Sequence, residues 1–218
     1  MIKARIQTTL ALMTLSLCLT LSANAAEKKA DKKAEKKTDM KLFVVNTSAS
    51  SAYWKGTKVT GFHEGHIKIK EGTFEILKGE LSKGTVAIDM SSIVDEDLKD
   101  PKFNAKLTGH LKSEDFFNVE KFPTATLSIA KVEKIKAGGE NTHQVSGDLM
   151  IKGMIRPITF PAKISITGDE LKAVATMTVD RTKYDIRYGS GKFFQGLGDK
   201  LIHDTFIVKV DLAAQAAK

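Results

Sequence analysis

The chain has 218 residues, a formal net charge of +8 and 42% hydrophobic residues, enough for one domain with a sizeable core. Lys3 and Arg5 contribute +2, residues 26–39 contribute another +2, and about +4 belongs to the remainder. The basic residues of that remainder form no block, and aromatic residues make up only 7% of the chain. The composition therefore favours a solvated surface over a nucleic-acid-binding patch, and we expect no nucleic-acid partner.

Residues 1–25 have the three-part pattern of a secretory leader. Lys3 and Arg5 precede an uncharged apolar run from Leu10 to Leu21, and the small-x-small motif Ala23-Asn24-Ala25 follows it. The run is shorter than the ~20 residues that a membrane-spanning helix needs. We predict a signal peptide that is cleaved after Ala25; a retained membrane anchor is the alternative.

The single cysteine, Cys18, lies inside the apolar run, so cleavage would remove it. A lipid-modified bacterial leader needs a small residue before its cysteine, and Leu17 stands there. We therefore expect no lipid-modified N-terminus. An exported chain without disulfides must be stabilised by its core alone.

Residues 26–39 form a charged segment that contains the repeats AEKK, ADKK and AEKK. It has no apolar face at any spacing and cannot bury itself against a core. We predict a low-complexity linker, with contact to anionic lipid headgroups as an alternative role.

Residues 40–218 have a different pattern, in which short apolar runs alternate with polar residues and end at turn residues. This period of two is typical of strands with one buried and one solvated face. The runs are Lys41–Val45, His66–Lys70, Thr73–Leu77, Thr85–Met90, Ala125–Val132, Gln144–Met150, Thr159–Thr167, Leu171–Val179 and Thr205–Leu212. Short connections such as Lys78-Gly79 and Ala137-Gly138-Gly139 predict antiparallel pairing, because a parallel pair needs a long crossover.

The stretch from Asp95 to Leu111 differs from the strands. Pro101 interrupts it, and a helix is predicted near Lys102–Leu111. The acidic groups Asp95-Glu96-Asp97 and Glu114-Asp115 are interpreted as charges that favour helix N-termini. We therefore predict an all-β fold, an antiparallel eight-stranded barrel with one or two short helices, which can enclose one small ligand.

No familiar catalytic motif is found in the sequence. His63-x-x-His66 could offer two metal ligands, but a metal site needs three or four and no neighbouring residue completes this one. We predict no metal site and no catalytic residue. An enzyme that uses His63, His66 or His110 on a small amphiphile is an alternative.

The larger apolar side chains either fill the barrel or line a pocket inside it. They are Trp54, Phe74, Phe116, Phe117, Phe122, Phe160, Phe193 and Phe194. Composition alone favours a filled core, and a filled barrel that works as an interaction module is a further alternative.

Several segments stand out between about Leu42 and Leu212: Ile88–Ile93, Gly109–Phe117 with Lys121–Ala125, Val145–Gly153 with Pro157-Ile158, and Asp180–Gly189, together with an aromatic residue, Trp54, near the first strand. In this order they resemble the YceI-like lipid-binding proteins. The segment Asp180–Gly189 departs from the family pattern in being unusually polar.

The resemblance implies an extended, lipocalin-like barrel in the periplasm or outside the cell. It also implies a non-enzymatic role in the binding, sequestration or transport of a polyisoprenoid or another long-chain amphiphile, and it favours a homodimer. Transient contact with a membrane surface is a separate expectation. No cofactor is expected; the ligand would be of the kind of an isoprenoid quinone or a prenyl phosphate.

With that resemblance, a pocket becomes the favoured interpretation of the large apolar side chains. Its predicted lining is Trp54, Phe74, Ile88, Phe116, Phe117, Phe122, Phe160, Met177, Tyr184 and Phe193. The predicted headgroup contacts are Arg181, Lys183 and Arg187. A solvated strand with cross-strand ion pairs is the alternative for these basic residues.

Overall fold

The computed structural model describes residues 39–136 and 139–218. The predicted signal peptide, the linker up to residue 38, and residues 137 and 138 of the predicted turn lie outside the described residues. In the described part of the chain, no helix is both long and apolar enough to cross a bilayer.

Nine strands and one α-helix make up the regular structure of the described residues. The strands are β1 (Met40–Val45), β2 (Ser51–Lys58), β3 (Gly61–Leu77), β4 (Glu80–Asp89), β5 (Thr124–Lys134), β6 (His143–Ile151), β7 (Met154–Thr167), β8 (Glu170–Asp180) and β9 (Ile202–Ala216). The helix, α1, spans Pro101–Lys112. Short 3-10 turns lie at Thr47–Ala49, Met90–Ser92, Arg181–Tyr184 and Gly198–Lys200.

The strands form one closed antiparallel sheet in the order β1-β3-β2-β9-β8-β7-β6-β5-β4, and β3 pairs with β4 to close it. β1 and β2 occupy a single position between β3 and β9, because each pairs with both of those strands. The 3-10 turn between them is capped by the Asn46 side chain, which accepts hydrogen bonds from the Ser48 and Ala49 amides. The nine segments therefore build an eight-stranded barrel, and the predicted fold is confirmed.

The prediction of two separate strands within the range of β3 is wrong. The runs His66–Lys70 and Thr73–Leu77 belong to one strand, with a bulge in its pairing to β4 between Ile69 and Glu71. At Gly72 a Cβ atom would lie 2.7 Å from Cγ2 of Val45, so the glycine allows β1 to approach closely and does not mark a turn.

The helix begins where the proline predicts. Pro101 occupies its first turn, and the Asp100 carboxylate accepts hydrogen bonds from the Lys102 and Phe103 amides. The prediction that Asp95-Glu96-Asp97 caps a helix is wrong, because Asp100 takes that role. Glu114-Asp115 also does not open a helix; these residues lie in a turn that follows the helix C-cap at Ser113.

The barrel interior has a filled half and a hollow half. In the filled half Phe43 lies opposite Phe74, and Val145 lies opposite Phe160, all of them buried. Phe74 also covers Gly84, where a Cβ atom would lie 2.4 Å from the ring. The other half, toward α1, contains a cavity.

Candidate functional site: an apolar cavity in the barrel

The cavity has a volume of about 170 Å³, far more than the ~10–15 Å³ that one water molecule needs. Seven of the nine described strands contribute to its walls, all except β1 and β7. β9 contributes Phe206, Val208, Val210 and Leu212 at a period of two. Trp54, Val86, Leu149 and Met177 line it from β2, β4, β6 and β8. The walls are thus almost wholly apolar.

The end of the cavity is covered by α1 and the segments around it. Leu111 of α1, Phe116 and Phe117 of the following turn, and Ile186 line it from this side. Phe117 meets Phe206 of β9 edge to face, with ring centroids 6.2 Å apart. The helix and the turn after it therefore pack onto the barrel through the same apolar side chains that line the cavity.

Arg181 is the one Lys, Arg, Asp or Glu side chain among the described residues that line the cavity. It is almost fully buried, and its guanidinium donates to three backbone carbonyls, those of Ile186, Ile202 and His203, at 2.8–3.0 Å. Asp204 lies 3.8 Å away. Burial lowers the pKa of Arg181, but an arginine in a protein stays charged. Two of its five N–H donors are not used in these bonds.

Five of the ten residues predicted to line a pocket do so: Trp54, Ile88, Phe116, Phe117 and Met177. Whether they contact a ligand stays a prediction.

The other five do not line this cavity. Phe74 and Phe160 belong to the filled half of the barrel. Phe122 lies against Gly153, where a Cβ atom would be 2.8 Å from its ring. Tyr184 is buried in the 3-10 turn after β8, and burial raises the pKa of its phenol. Phe193 is exposed beside the Arg187 guanidinium.

Of the three predicted headgroup residues, the structure brings Arg181 alone to the cavity. Lys183 is exposed, and its carbonyl accepts a hydrogen bond from Arg156. Arg187 is exposed and pairs with Asp185 at 2.5 Å. The two lie on the outer side of the segment because the chain forms a 3-10 turn at Arg181–Tyr184 instead of continuing β8.

The histidines His63, His66 and His110 do not line the cavity. His66 pairs with Glu96 at 2.9 Å, and the His110 ring packs edge to face against the rings of Phe116 and Tyr188. A different histidine, His203, lies at the cavity wall and shares a hydrogen bond with Thr57.

His63 is the member of the His63-x-x-His66 motif that faces two carboxylates. Its Nδ1 atom lies 2.9 Å from Asp97 Oδ2 and 4.0 Å from Asp95 Oδ2. Burial raises the pKa of the Asp95 carboxyl, and its contact with Asp97 raises it further. Sequence reasoning noted the histidine pair and the acidic triplet separately and did not bring them together.

Most of the cavity lining was also missed, including Leu111, Ile151, Ile186 and Ile202. Strand alternation was the available signal: Phe206, Val208, Val210 and Leu212 share one face of β9, and Val86 and Ile88 share one face of β4.

Comparison with known proteins agrees with this architecture. The family model of the YceI-like domain matches residues 43–214. A UPF0312 protein of Ectopseudomonas mendocina (strain ymp) is 32% identical over 98 residues, which are 45% of this chain and 46% of that protein. A UPF0312 protein of Pseudomonas aeruginosa (strain LESB58) is 39% identical over 67 residues, 31% of this chain and 33% of that protein. Each match thus spans less than half of the relative's length.

Two solved structures share the fold. BcnA of Burkholderia cenocepacia superimposes with a TM-score of 0.60 at 20% identity, covering 78% of this chain and 99% of that one. A polyisoprenoid binding domain from Saccharophagus degradans, implicated in plant cell wall breakdown, gives a TM-score of 0.55 at 13% identity and covers 80% and 98%.

Proposed function

The chain belongs to the YceI-like domain family, and from that premise we propose that it binds a polyisoprenoid or a similar long-chain amphiphile inside its barrel, without catalysing a reaction on it. The proposal includes export by residues 1–25 to the periplasm or beyond. The observation that carries it is the apolar cavity of about 170 Å³ beneath α1.

The walls of the cavity suit a hydrocarbon chain. Each buried methylene contributes ~0.8 kcal/mol, so one five-carbon prenyl unit contributes about 4 kcal/mol before the cost of ordering the chain. A prenyl tail can therefore bind tightly with few polar contacts. Its methyl branches would pack against Val86, Leu149, Val208 and their neighbours.

Arg181 is our candidate for the contact with a polar head. Three of its N–H groups hold the backbone of Ile186, Ile202 and His203, which fixes the guanidinium in place. A quinone carbonyl or a phosphate could accept hydrogen bonds from the remaining donors, and charge-assisted bonds of this kind are strong.

Exchange of ligand with a membrane is a further part of the proposal. The mouth rim, which we define as Val59, Phe62, Phe193 and Phe194, carries exposed apolar side chains. Two hydrogen bonds connect the rim to the cavity wall at Ile202, which lines the cavity. The Val59 amide donates to the carbonyl of the preceding residue, Leu201, and the Ile202 amide donates to the carbonyl of Gly189, where the segment with Phe193 and Phe194 begins. Lys200 is exposed on the same segment and would favour anionic headgroups, whereas Lys192 is paired with Asp180 and Asp204.

Native mass spectrometry of protein purified from its natural compartment without detergent tests the proposal. We expect an added mass that extraction identifies as a long-chain amphiphile, and uptake of an isoprenoid quinone or prenyl phosphate by the stripped protein. An apo mass alone, together with no uptake of either compound, would contradict it.

A matched pair of variants locates the ligand. Leu149→Trp puts bulk into the cavity, whereas Val174→Trp puts the same side chain on the exposed face of β8. We expect at least tenfold weaker uptake for the first and no change for the second. Equal uptake by both folded variants would place the ligand outside the cavity.

A further inference from the structure

Three metal-ligand side chains meet where the edge of β3 contacts the segment between β4 and α1. One ligand atom each from His63, Asp95 and Asp97 lies within 4.8 Å of the other two. Adjacent donor atoms around a four-coordinate zinc ion, with bonds of 2.0–2.2 Å, are roughly 3.3 Å apart. The observed separations from His63 Nδ1, 2.9 and 4.0 Å, bracket that value.

The burial of Asp95 is an independent indication that something is bound. Its side chain has no exposed surface, and its Oδ2 atom has no hydrogen-bond partner. A buried carboxylate oxygen without a partner is costly, and native structures contain few such atoms. This oxygen is directed at His63 and Asp97, where a cation would neutralise it.

The opposite oxygens of both carboxylates are held in place. Asp95 Oδ1 accepts from the Leu98 amide at 2.9 Å and from Asn104 Nδ2 at 3.2 Å. Asp97 Oδ1 accepts from the Glu64 amide at 2.9 Å. Asp95 Oδ2 is thus left without a partner, and Asp97 Oδ2 has one hydrogen-bond contact, to His63 Nδ1 at 2.9 Å. Hydrogen bonds to the opposite oxygen orient metal-binding carboxylates in the same way.

The backbone fixes the position of the acidic segment relative to β3. The Val94 amide donates to the His66 carbonyl at 3.0 Å, and the Glu96 amide donates to the Glu64 carbonyl at 2.9 Å. These bonds extend the sheet by one short edge and bring Asp95 and Asp97 to His63. His66 does not take part, because its ring is exposed and pairs with Glu96.

We infer that His63, Asp95 and Asp97 bind a divalent transition-metal cation of the zinc class, with water completing the coordination. An imidazole nitrogen beside two carboxylates suits Zn²⁺, whereas Ca²⁺ and Mg²⁺ prefer oxygen ligands alone. His63 and Asp97 are 23% and 22% exposed, which gives the ion a path from solvent. The bound ion would fasten the segment that leads into α1 to the barrel.

The test is a calorimetric titration of the exported, untagged protein with ZnCl₂, with metal content measured after dialysis. We expect one bound Zn²⁺ per chain. Asp95→Asn should bind at least tenfold more weakly, and so should Asp97→Asn, which serves if the first variant folds poorly. His66→Ala, a neighbouring exposed histidine, is the matched control and should bind as the wild type does. No binding by the wild type, or loss of binding in His66→Ala alone, would overturn the inference.

Thermal unfolding separates metal binding from a purely structural role. Asn at position 95 can still accept the bonds from Leu98 and Asn104, so the variant without metal should melt at or above the wild-type temperature. Zn²⁺ should raise the melting temperature of the wild type and of His66→Ala but leave that of Asp95→Asn unchanged. An equal Zn²⁺-induced shift in all three proteins would contradict the site, as would an Asp95→Asn defect of the same size with and without Zn²⁺.

Discussion

The indole Nε1 of Trp54 donates a hydrogen bond to the carbonyl of Val94 at 3.1 Å. This bond joins the cavity wall to the segment that leads into α1, because Trp54 lines the cavity and Val94 precedes the Asp95–Asp97 group. On β3, Gly65 lies opposite Trp54, so the segment, the indole and the glycine are in mutual contact.

The first prediction concerns that contact. A Cβ atom at residue 65 would lie 2.0 Å from the Val94 carbonyl oxygen, which is backbone and cannot rotate away. We expect Gly65→Ala to lower the free energy of unfolding by about 2 kcal/mol or more. Gly56→Ala on the adjacent strand is the control: no atom lies within 4 Å of its added Cβ, and the change should stay within ~0.5 kcal/mol. Urea denaturation measures both, and equal stability of the two variants would show that the segment can move.

The second prediction concerns stability at low pH. Partial burial raises the pKa of the Asp180 carboxyl, but hydrogen bonds from Thr182 and Lys192 outweigh that effect, and the net pKa in the folded protein is lowered. The carboxylate therefore contributes stability that is present above its unfolded pKa of ~3.9 and is lost as the pH falls through its folded pKa. Asp180→Asn keeps an oxygen for Thr182 and removes the titration.

We expect the free energy of unfolding of Asp180→Asn to fall less steeply below about pH 4 than that of the wild type. Asp148→Asn, on the exposed surface of β6, removes the same charge without changing the contacts of Thr182 and Lys192, and is the control for net charge. Chemical denaturation between pH 3 and 6 gives the slopes, and parallel curves for all three proteins would refute the assignment.

The third prediction concerns the mouth rim. Burying a phenylalanine side chain contributes about 1.5–3 kcal/mol, so Phe193→Ser with Phe194→Ser should weaken partition onto vesicles containing anionic lipid at least about tenfold. Val174→Ser, an exposed apolar residue on the outer face of β8, should have no effect. Co-sedimentation with vesicles tests this. Equal losses in both proteins would mean that any exposed apolar side chain contributes, and that the rim has no special role.

The barrel and the helix could be predicted from the sequence because both depend on local patterns. Period-two alternation marks most strands, and Asp100-Pro101 marks the helix start. Strand β2 was not predicted. Its inner face consists of Ala52, Trp54 and Gly56, and because only Trp54 is large and apolar, the strand lacks a clear alternating pattern. Alternation identifies the inward face of a strand but not the height of a residue in the closed barrel, so it cannot separate the filled half from the cavity.

The His63, Asp95 and Asp97 group depends on contacts between distant parts of the chain. Its members come together because residues 94–96 hydrogen-bond to the β3 edge, and no periodicity in the sequence indicates that pairing. The sequence pattern also does not show that Lys183 and Arg187 lie outside the cavity. A continued strand would have placed alternate residues inward, but the 3-10 turn at Arg181–Tyr184 redirects the chain.

The fourth prediction separates the two halves of the barrel. Phe160 is buried in the filled half, and its replacement by alanine should lower the free energy of unfolding by about 3–5 kcal/mol while leaving ligand affinity nearly unchanged. Phe117 is partly buried, lines the cavity and packs on Phe206. Phe117→Ala should therefore destabilise the protein less and weaken prenyl-ligand binding by about tenfold, as expected for the loss of roughly 1.4 kcal/mol of apolar contact.

Urea denaturation measures the free energy of unfolding of both variants, and displacement of a fluorescent fatty-acid probe measures their ligand affinity. If Phe160→Ala lost binding at temperatures where it stays folded, the ligand would have to extend into the half of the barrel that Phe43, Phe74 and Phe160 fill.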